Sequence, residues 1–279
     1  MIDLLLFYRE SILGALVLAL GCSVLGVYVV LRRIVFVGAA LAQLSSAGIG
    51  LAVFLASLGL GMGGLVDELT VSLAVTMAGV AFFGIQAARQ RIPPDAGLGV
   101  AFVVAGGASV LLVARSATAD MHDLFFGGDI LLISMEEIGV LIVVVAAVLL
   151  LHLLFFKQFL FVSYDPEMAA TLGYRVVAWD LLLYVTFGVV ITLAMQSVGV
   201  LLVFSYLVLP GVTGLLLGRR IRGVFIGSVV TGALGTILGF LASVAFDLPS
   251  GASIILARGG LALVAWIVDA VRRHREAAS

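Results

Sequence analysis

Charge is scarce in this chain. Only 11% of its 279 residues are Asp, Glu, Lys or Arg, while 63% are hydrophobic. A soluble domain of this size needs a charged surface, so the composition excludes one and points to an integral membrane protein. The formal net charge of −1 argues against a nucleic-acid partner. There is one cysteine, Cys22, inside an apolar run. That excludes a disulfide framework and a cysteine-based metal site, and it reads as a small core residue. Lys157 is the only lysine, and no GxxxxGK[ST] loop is present. The chain therefore cannot cradle ATP in the P-loop manner. No HExxH or Ser/His/Asp arrangement suggests hydrolytic chemistry.

Ionisable residues are also sparse deep in the apolar runs. Asp180 and Asp269 lie within about a turn of predicted span ends, and His152 lies in the inner half of its run. A proton- or sodium-coupled carrier places charges at mid-membrane depth. Their scarcity points to an energy source outside this chain. No basic region precedes the first apolar run, so Ser11 to Leu31 reads as a retained span and not a cleaved signal.

What is present in abundance is apolar length. A span needs about 20 mostly apolar residues. The runs predict spans over 11–31, 35–58, 70–88, 97–114, 138–156, 177–195, 199–217, 223–246 and 252–271. The fold class expected is an all-α polytopic transmembrane bundle of eight or nine spans, a single domain over 1–279. The pair 177–195 and 199–217 is separated only by a tight Gln196-Ser197-Val198 link.

Basic residues set orientation. With nine spans, Arg32, Arg33, Arg89, Arg91, Lys157, Arg175, Arg219, Arg220, Arg222, Arg272, Arg273 and Arg275 fall on one side, the cytoplasm. Arg9, Arg115 and Arg258 lie at or near the other face. The N-terminus is then outside and the C-terminus inside. The outer side carries Asp67, Glu68, Asp120, Asp123, Asp129, Glu136, Glu137 and Asp247. Such a face can concentrate cations; it can equally be a by-product of topology.

One polar island stands out. "VSYDPEMAATLGYR", Val162 to Arg175, starts like a helix. Ser163 and Asp165 can cap it, Pro166 suits the first turn and Glu167 sits at the positive end. Met168, Ala169, Ala170 and Leu172 give it an apolar side, and Gly173 can stop it. A short amphipathic helix between two spans is a docking handle for a soluble partner. Elsewhere, Pro210 interrupts an apolar run and frees a backbone carbonyl at depth, as a kink or as a break lining a pathway. Glycines at small-residue spacings in 223–239 allow close helix contact. "FDLPSGASIIL", Phe246 to Leu256, reads as an external turn.

"YVVLRRIVFVGAALAQ" (Tyr28 to Gln43), "FFGGDILLIS" (Phe125 to Ser134), "SYDPEMAATLGYR", "QSVGVLLVFSYLVLPGVTGLLL" (Gln196 to Leu217) and "DLPSGASIIL" occur in this order. Together they resemble the membrane permeases of zinc/manganese/iron-type ABC importers, nearly end to end. The resemblance implies a bacterial inner-membrane homodimer with two cytoplasmic P-loop ATPase subunits, which hold the ATP. It also implies an external or periplasmic substrate-binding protein, and a divalent metal as transported substrate. Asp165, Pro166, Glu167, Ala169, Ala170 and Gly173 then belong to the coupling helix, within 162–175, that seats in the ATPase.

One departure concerns the substrate. The family's second span reads G-D-x-L-A-H after the double arginine, with Asp and His four apart as a metal site. Here the positions are Gly38, Ala39, Ala40, Leu41, Ala42 and Gln43. Both ionisable ligands are gone, and an amide oxygen is a poor substitute for imidazole. The candidate pathway residues are Ala39, Gln43 and Ser46, with Tyr206 and Pro210 from the later span. His122, between Asp120 and Asp123, is the alternative ligand, with Asp123 as its partner; the other reading is an exposed loop histidine. The expected function is the permease of an ATP-driven divalent-metal importer. The alternatives are the same fold carrying a chelate or small organic molecule, or a secondary carrier working alone.

Overall fold

The computed structural model describes residues 9–59, 67–89, 94–116 and 135–278. Among these, eleven helices follow one another. They are α1 (Arg9–Leu31), α2 (Phe36–Ser57), α3 (Glu68–Arg89), α4 (Pro94–Arg115), α5 (Met135–Leu154), α6 (Phe156–Tyr164), α7 (Pro166–Thr171), α8 (Val176–Ser197), α9 (Val200–Leu217), α10 (Ile221–Phe246) and α11 (Ser250–Ala278). Every predicted span coincides with one long helix. Eight of them are long and apolar enough to cross a membrane, and α3 is a further helix of 22 residues. In hydrocarbon each backbone polar group must be satisfied within the protein, and the helix does this segment by segment. The tight link between α8 and α9 is real: Val198 is extended at φ −144° and ψ 141° and ends α8.

The chain divides into two compact units. One comprises residues 31–128 and 150–203. Its centre is α2, which packs against α3, α4 and α8. Lipid offers no hydrophobic force to hold helices together, so close approach and interhelical hydrogen bonds do so. Gly48 is where α2 meets α3: a Cβ there would stand 2.5 Å from the Cα of Ser72. Beside it, the Ser72 hydroxyl donates to the Ser45 carbonyl at 2.9 Å. The Ser45 hydroxyl is then left to donate to Ser72 Oγ, 2.8 Å away. Ser46 reaches Ser109 on α4 at 2.7 Å. His152 is packed inside this unit, 3.1 Å from the Thr186 hydroxyl and stacked on Phe159.

The other unit comprises residues 1–30, 129–149 and 204–279. Its α10 and α11 form a hairpin. Asp247 ends α10 in the left-handed conformation, φ 52°, and the Leu248 N–H then returns to the Ser243 carbonyl at 3.0 Å. Asp is one of the few residues that enters this region at small cost. The predicted "DLPSG" turn is therefore a helix cap followed by a new start. Ser228 on α10 donates to the Ser23 carbonyl of α1 at 2.8 Å, and Tyr28 meets Phe225 edge to face. Pro210 does not break α9, which continues through it to Leu217.

Candidate functional site

The polar island folds as two short helices, not one. Ser163 lies in the last turn of α6, so it caps nothing; Asp165 takes that role alone. Its carboxylate accepts from the Met168 N–H at 2.9 Å, with Pro166 at the first helical position and Glu167 in the first turn. This satisfies one of the free N–H groups that every helix start leaves. At the other end Gly173 adopts φ 85°. The Gly173 N–H bonds to the Ala170 carbonyl and the Tyr174 N–H to the Ala169 carbonyl, each at 3.0 Å. That pair of bonds is a Schellman cap, which needs the left-handed residue that glycine supplies.

Between the caps, Ala169 is the anchor and is fully buried. Glu167, Met168, Ala170 and Leu172 are exposed. The six-residue helix and its C-cap leave Met168 and Leu172 more than half exposed (54% and 62%), an apolar surface that is uncovered among the described residues. An open groove of about 510 Å³ lies alongside, lined by Leu172, Gly173, Tyr174, Arg175 and Trp179.

Of the candidate pathway residues, Ala39, Gln43 and Ser46 share the buried surface of α2. Ala39 and Gln43 are four apart, hence on one helical face. The Gln43 side chain lies against Gly106 of α4, and its amide oxygen has no hydrogen-bond partner. Gln43 also lines an open groove of about 640 Å³ whose other walls, Phe102, Val103, Val110 and Leu111 among them, are apolar. Among the described residues that line it, the polar side chain is the neutral amide of Gln43. Ser46 contributes little more, since its hydroxyl is engaged with Ser109.

Tyr206 and Pro210 belong to α9, in the other unit, and both are buried. Proline has no N–H, so the carbonyl four residues earlier, that of Tyr206, lacks its helical donor. The Tyr206 ring carries an unexpected cation. The Arg258 guanidinium lies 3.5 Å from its centroid, with Nη2 donating to Thr236 Oγ1 at 2.6 Å and to the Gly232 carbonyl at 3.2 Å. Arg258 is only 1% exposed. Eight residues into α11, it stands about 12 Å from the helix start. Beyond the expectation of a place at or near the outer face, the fold makes Arg258 a buried residue. The sequence signal was an arginine inside the last apolar run; its partners come from other helices and were not visible.

His122 and Asp123 lie outside the described residues. Among the described residues no group of three or more His, Cys, Asp or Glu side chains could hold a metal ion. Asp180 and Asp269, the two acids near span ends, are both paired, with Arg32 and Arg273 respectively.

The chain is 27% identical to the manganese transport system membrane protein MntC of Halalkalibacterium halodurans, covering 93% of this chain and 86% of that one. It is 27% identical to the manganese import system permease protein ScaB of Streptococcus gordonii, covering 96% and 93%. Among solved structures it is similar to PsaBC from Streptococcus pneumoniae in complex with Fab. The TM-score there is 0.80 at 26% identity, over 95% of this chain and 94% of that one. The ABC 3 transport family matches residues 5–269, so all the helices described lie at least largely within the match. The chain belongs to the ABC 3 transport family.

Proposed function

We propose that this chain is the membrane permease of an ATP-driven importer of divalent transition metal ions, with manganese the first candidate. The observation that carries the reading is the nearly full-length likeness to two manganese permeases. ATP is bound and hydrolysed by a separate P-loop ATPase pair on the cytoplasmic side. The metal is handed over by an external binding protein, and a second copy of this chain completes the assembly in the bacterial inner membrane, N-terminus outside and C-terminus inside. Residues 166–171 are the contact with the ATPase. The capped helix supports this, because it holds an exposed Glu167 and an exposed apolar face on a rigid, anchored element.

A second reading is favoured by one observation. Gln43, whose buried amide oxygen has no partner, lines an apolar groove where the described residues supply neither carboxylate nor imidazole. Such a lining suits a chelated metal or a small organic molecule better than a bare ion, whose hydration shell needs replacement by charged or strongly donating ligands. The decisive experiment is ATPase activity of the reconstituted complex with and without Mn²⁺ and its binding protein. Stimulation by the bare ion supports the first reading. Stimulation only by a chelate supports the second, and transport without any ATPase overturns both. The contact itself is tested by Glu167→Arg, which places a cation where an anion now sits. An unchanged yield of the complex on affinity purification would remove the coupling assignment.

A further inference from the structure

Arg32 follows the first predicted span, in the turn that leads from α1 into α2. Its guanidinium is buried to 10% exposure and makes two bonds in two directions. Nε donates to Ser163 Oγ at 2.8 Å. Nη1 donates to Asp180 Oδ1 at 2.6 Å, a charge-assisted contact with a carboxylate that is 27% exposed. Ser163 sits two residues before the Asp165 cap, in α6. Asp180 sits in the first turns of α8. Residues 164–179, with α7 at their centre, are thus held at both flanks by one planar group.

We infer that Arg32 is the positioning residue that carries displacement of α7 to α2. The inference rests on the reading of α7 as the ATPase contact. The physical reason is stiffness. A guanidinium presents its donors in a fixed fork, so two acceptors bound to it keep their separation when either is pushed. The buried Ser163 and the partly exposed Asp180 therefore cannot move independently of each other or of Arg32. The connection from Arg32 to α2 is equally short. Arg33 takes the left-handed conformation at φ 59°, the Val37 N–H bonds to the Ile34 carbonyl at 3.0 Å, and α2 begins at Phe36. There is no slack loop in which a movement could be lost. The helix so driven is the one that bears Ala39, Gln43 and Ser46.

A purely structural ion pair would hold the fold and transmit nothing, so the test must read transmission. The complex with its ATPase, purified in full, is compared by amide hydrogen exchange with and without ATP. In the wild type, ATP changes exchange in residues 164–175 and also in 31–40. In Arg32→Gln the change in 164–175 persists, and that in 31–40 falls by about five- to tenfold, the scale of coupling between sites. Ser163→Ala removes one bond and Asp180→Asn removes the charge from the other; both show the same confinement to a smaller degree, and they stand in if Arg32→Gln does not fold. Persistence of the full 31–40 response in Arg32→Gln, or in Asp180→Asn combined with Ser163→Ala, overturns the inference. So does a wild type whose 31–40 segment ignores ATP while 164–175 responds. Failure of the ATPase reading looks different: 164–175 is then silent in every variant.

Discussion

Arg258 stacks on Tyr206 with 3.5 Å between the guanidinium carbon and the ring centroid, and both side chains are buried. Arginine has five N–H donors. Here Nε and both hydrogens of Nη1 have no partner, and no carboxylate among the described residues pairs with the charge. The charge is held by a ring face, a hydroxyl and a backbone carbonyl. A desolvated cation–π contact contributes about 2 kcal/mol, less than the several kcal/mol that burying an ion costs.

The prediction is an asymmetry. Arg258→Met removes the charge and keeps the volume, so stability stays level or rises. Tyr206→Leu removes the ring and leaves the cation, so stability falls by about 2 kcal/mol or more. Cys22 is a built-in reporter, since it is the only cysteine in the sequence and is buried in the same unit. Its modification by a thiol reagent during heating in detergent should come earlier in Tyr206→Leu and no earlier in Arg258→Met. Equal losses in the two variants would mean that the ring does not hold the charge.

The caps of α7 make a second prediction. Asp165→Ala removes the acceptor for Met168 N–H and costs about 1 kcal/mol of local helix stability. Gly173→Ala meets no atom within 4 Å, so its cost is the backbone alone, also about 1 kcal/mol or slightly more at φ 85°. If the ATPase binds the preformed helix, each variant lowers its affinity about fivefold. Titration of the purified permease with its ATPase measures this. Gly173→Asn should lose less than Gly173→Ala, because Asn enters the left-handed region more readily.

Close packing gives a third. A methyl at Gly48 lands on the backbone of α3 at Ser72, which cannot rotate aside as a side chain could. Gly48→Ala should destabilise by about 1–3 kcal/mol and weaken the Ser45–Ser72 bonds beside it. At Gly99 on α4 nothing lies within 4 Å, so Gly99→Ala should be neutral or stabilising, since alanine is the better helix former by about 1 kcal/mol. The difference between their apparent melting temperatures isolates the contact.

The sequence made local features legible and left long-range ones hidden. The α7 caps could be read because Asp165, Pro166 and Gly173 act on residues within a few positions. The helix positions could be read because apolar length alone sets them. The burial of Arg258 could not: Tyr206, Gly232 and Thr236 lie on other helices, and only folding brings them to it. Nor could the role of Arg32, whose two acceptors are 131 and 148 residues away in the chain. Ser163 does not cap α7, for a physical reason. Its hydroxyl is drawn to a guanidinium from far along the chain, and the local cap is left to Asp165.

The last prediction concerns α2. Ala39 and Gln43 are buried, at 7% and 6% exposure, and lie one turn apart. Asp and His at these positions would present a carboxylate and an imidazole on one face. A buried carboxylate is unfavourable unless it is paired. Ala39→Asp with Gln43→His should therefore be less stable than wild type when metal-free. It should recover on adding Mn²⁺, by about 2.7 kcal/mol at a hundred times its dissociation constant. The wild type should show no such dependence at this site, because an amide carbonyl does not replace a charged ligand. Metal retained through purification, counted by mass spectrometry, should rise by one ion per double-variant chain. A variant that neither gains metal nor is stabilised by it would show that this face of α2 does not line the route. The second-span departure would then say nothing about substrate. A variant that gains both would establish that this face of α2 is accessible to the ion.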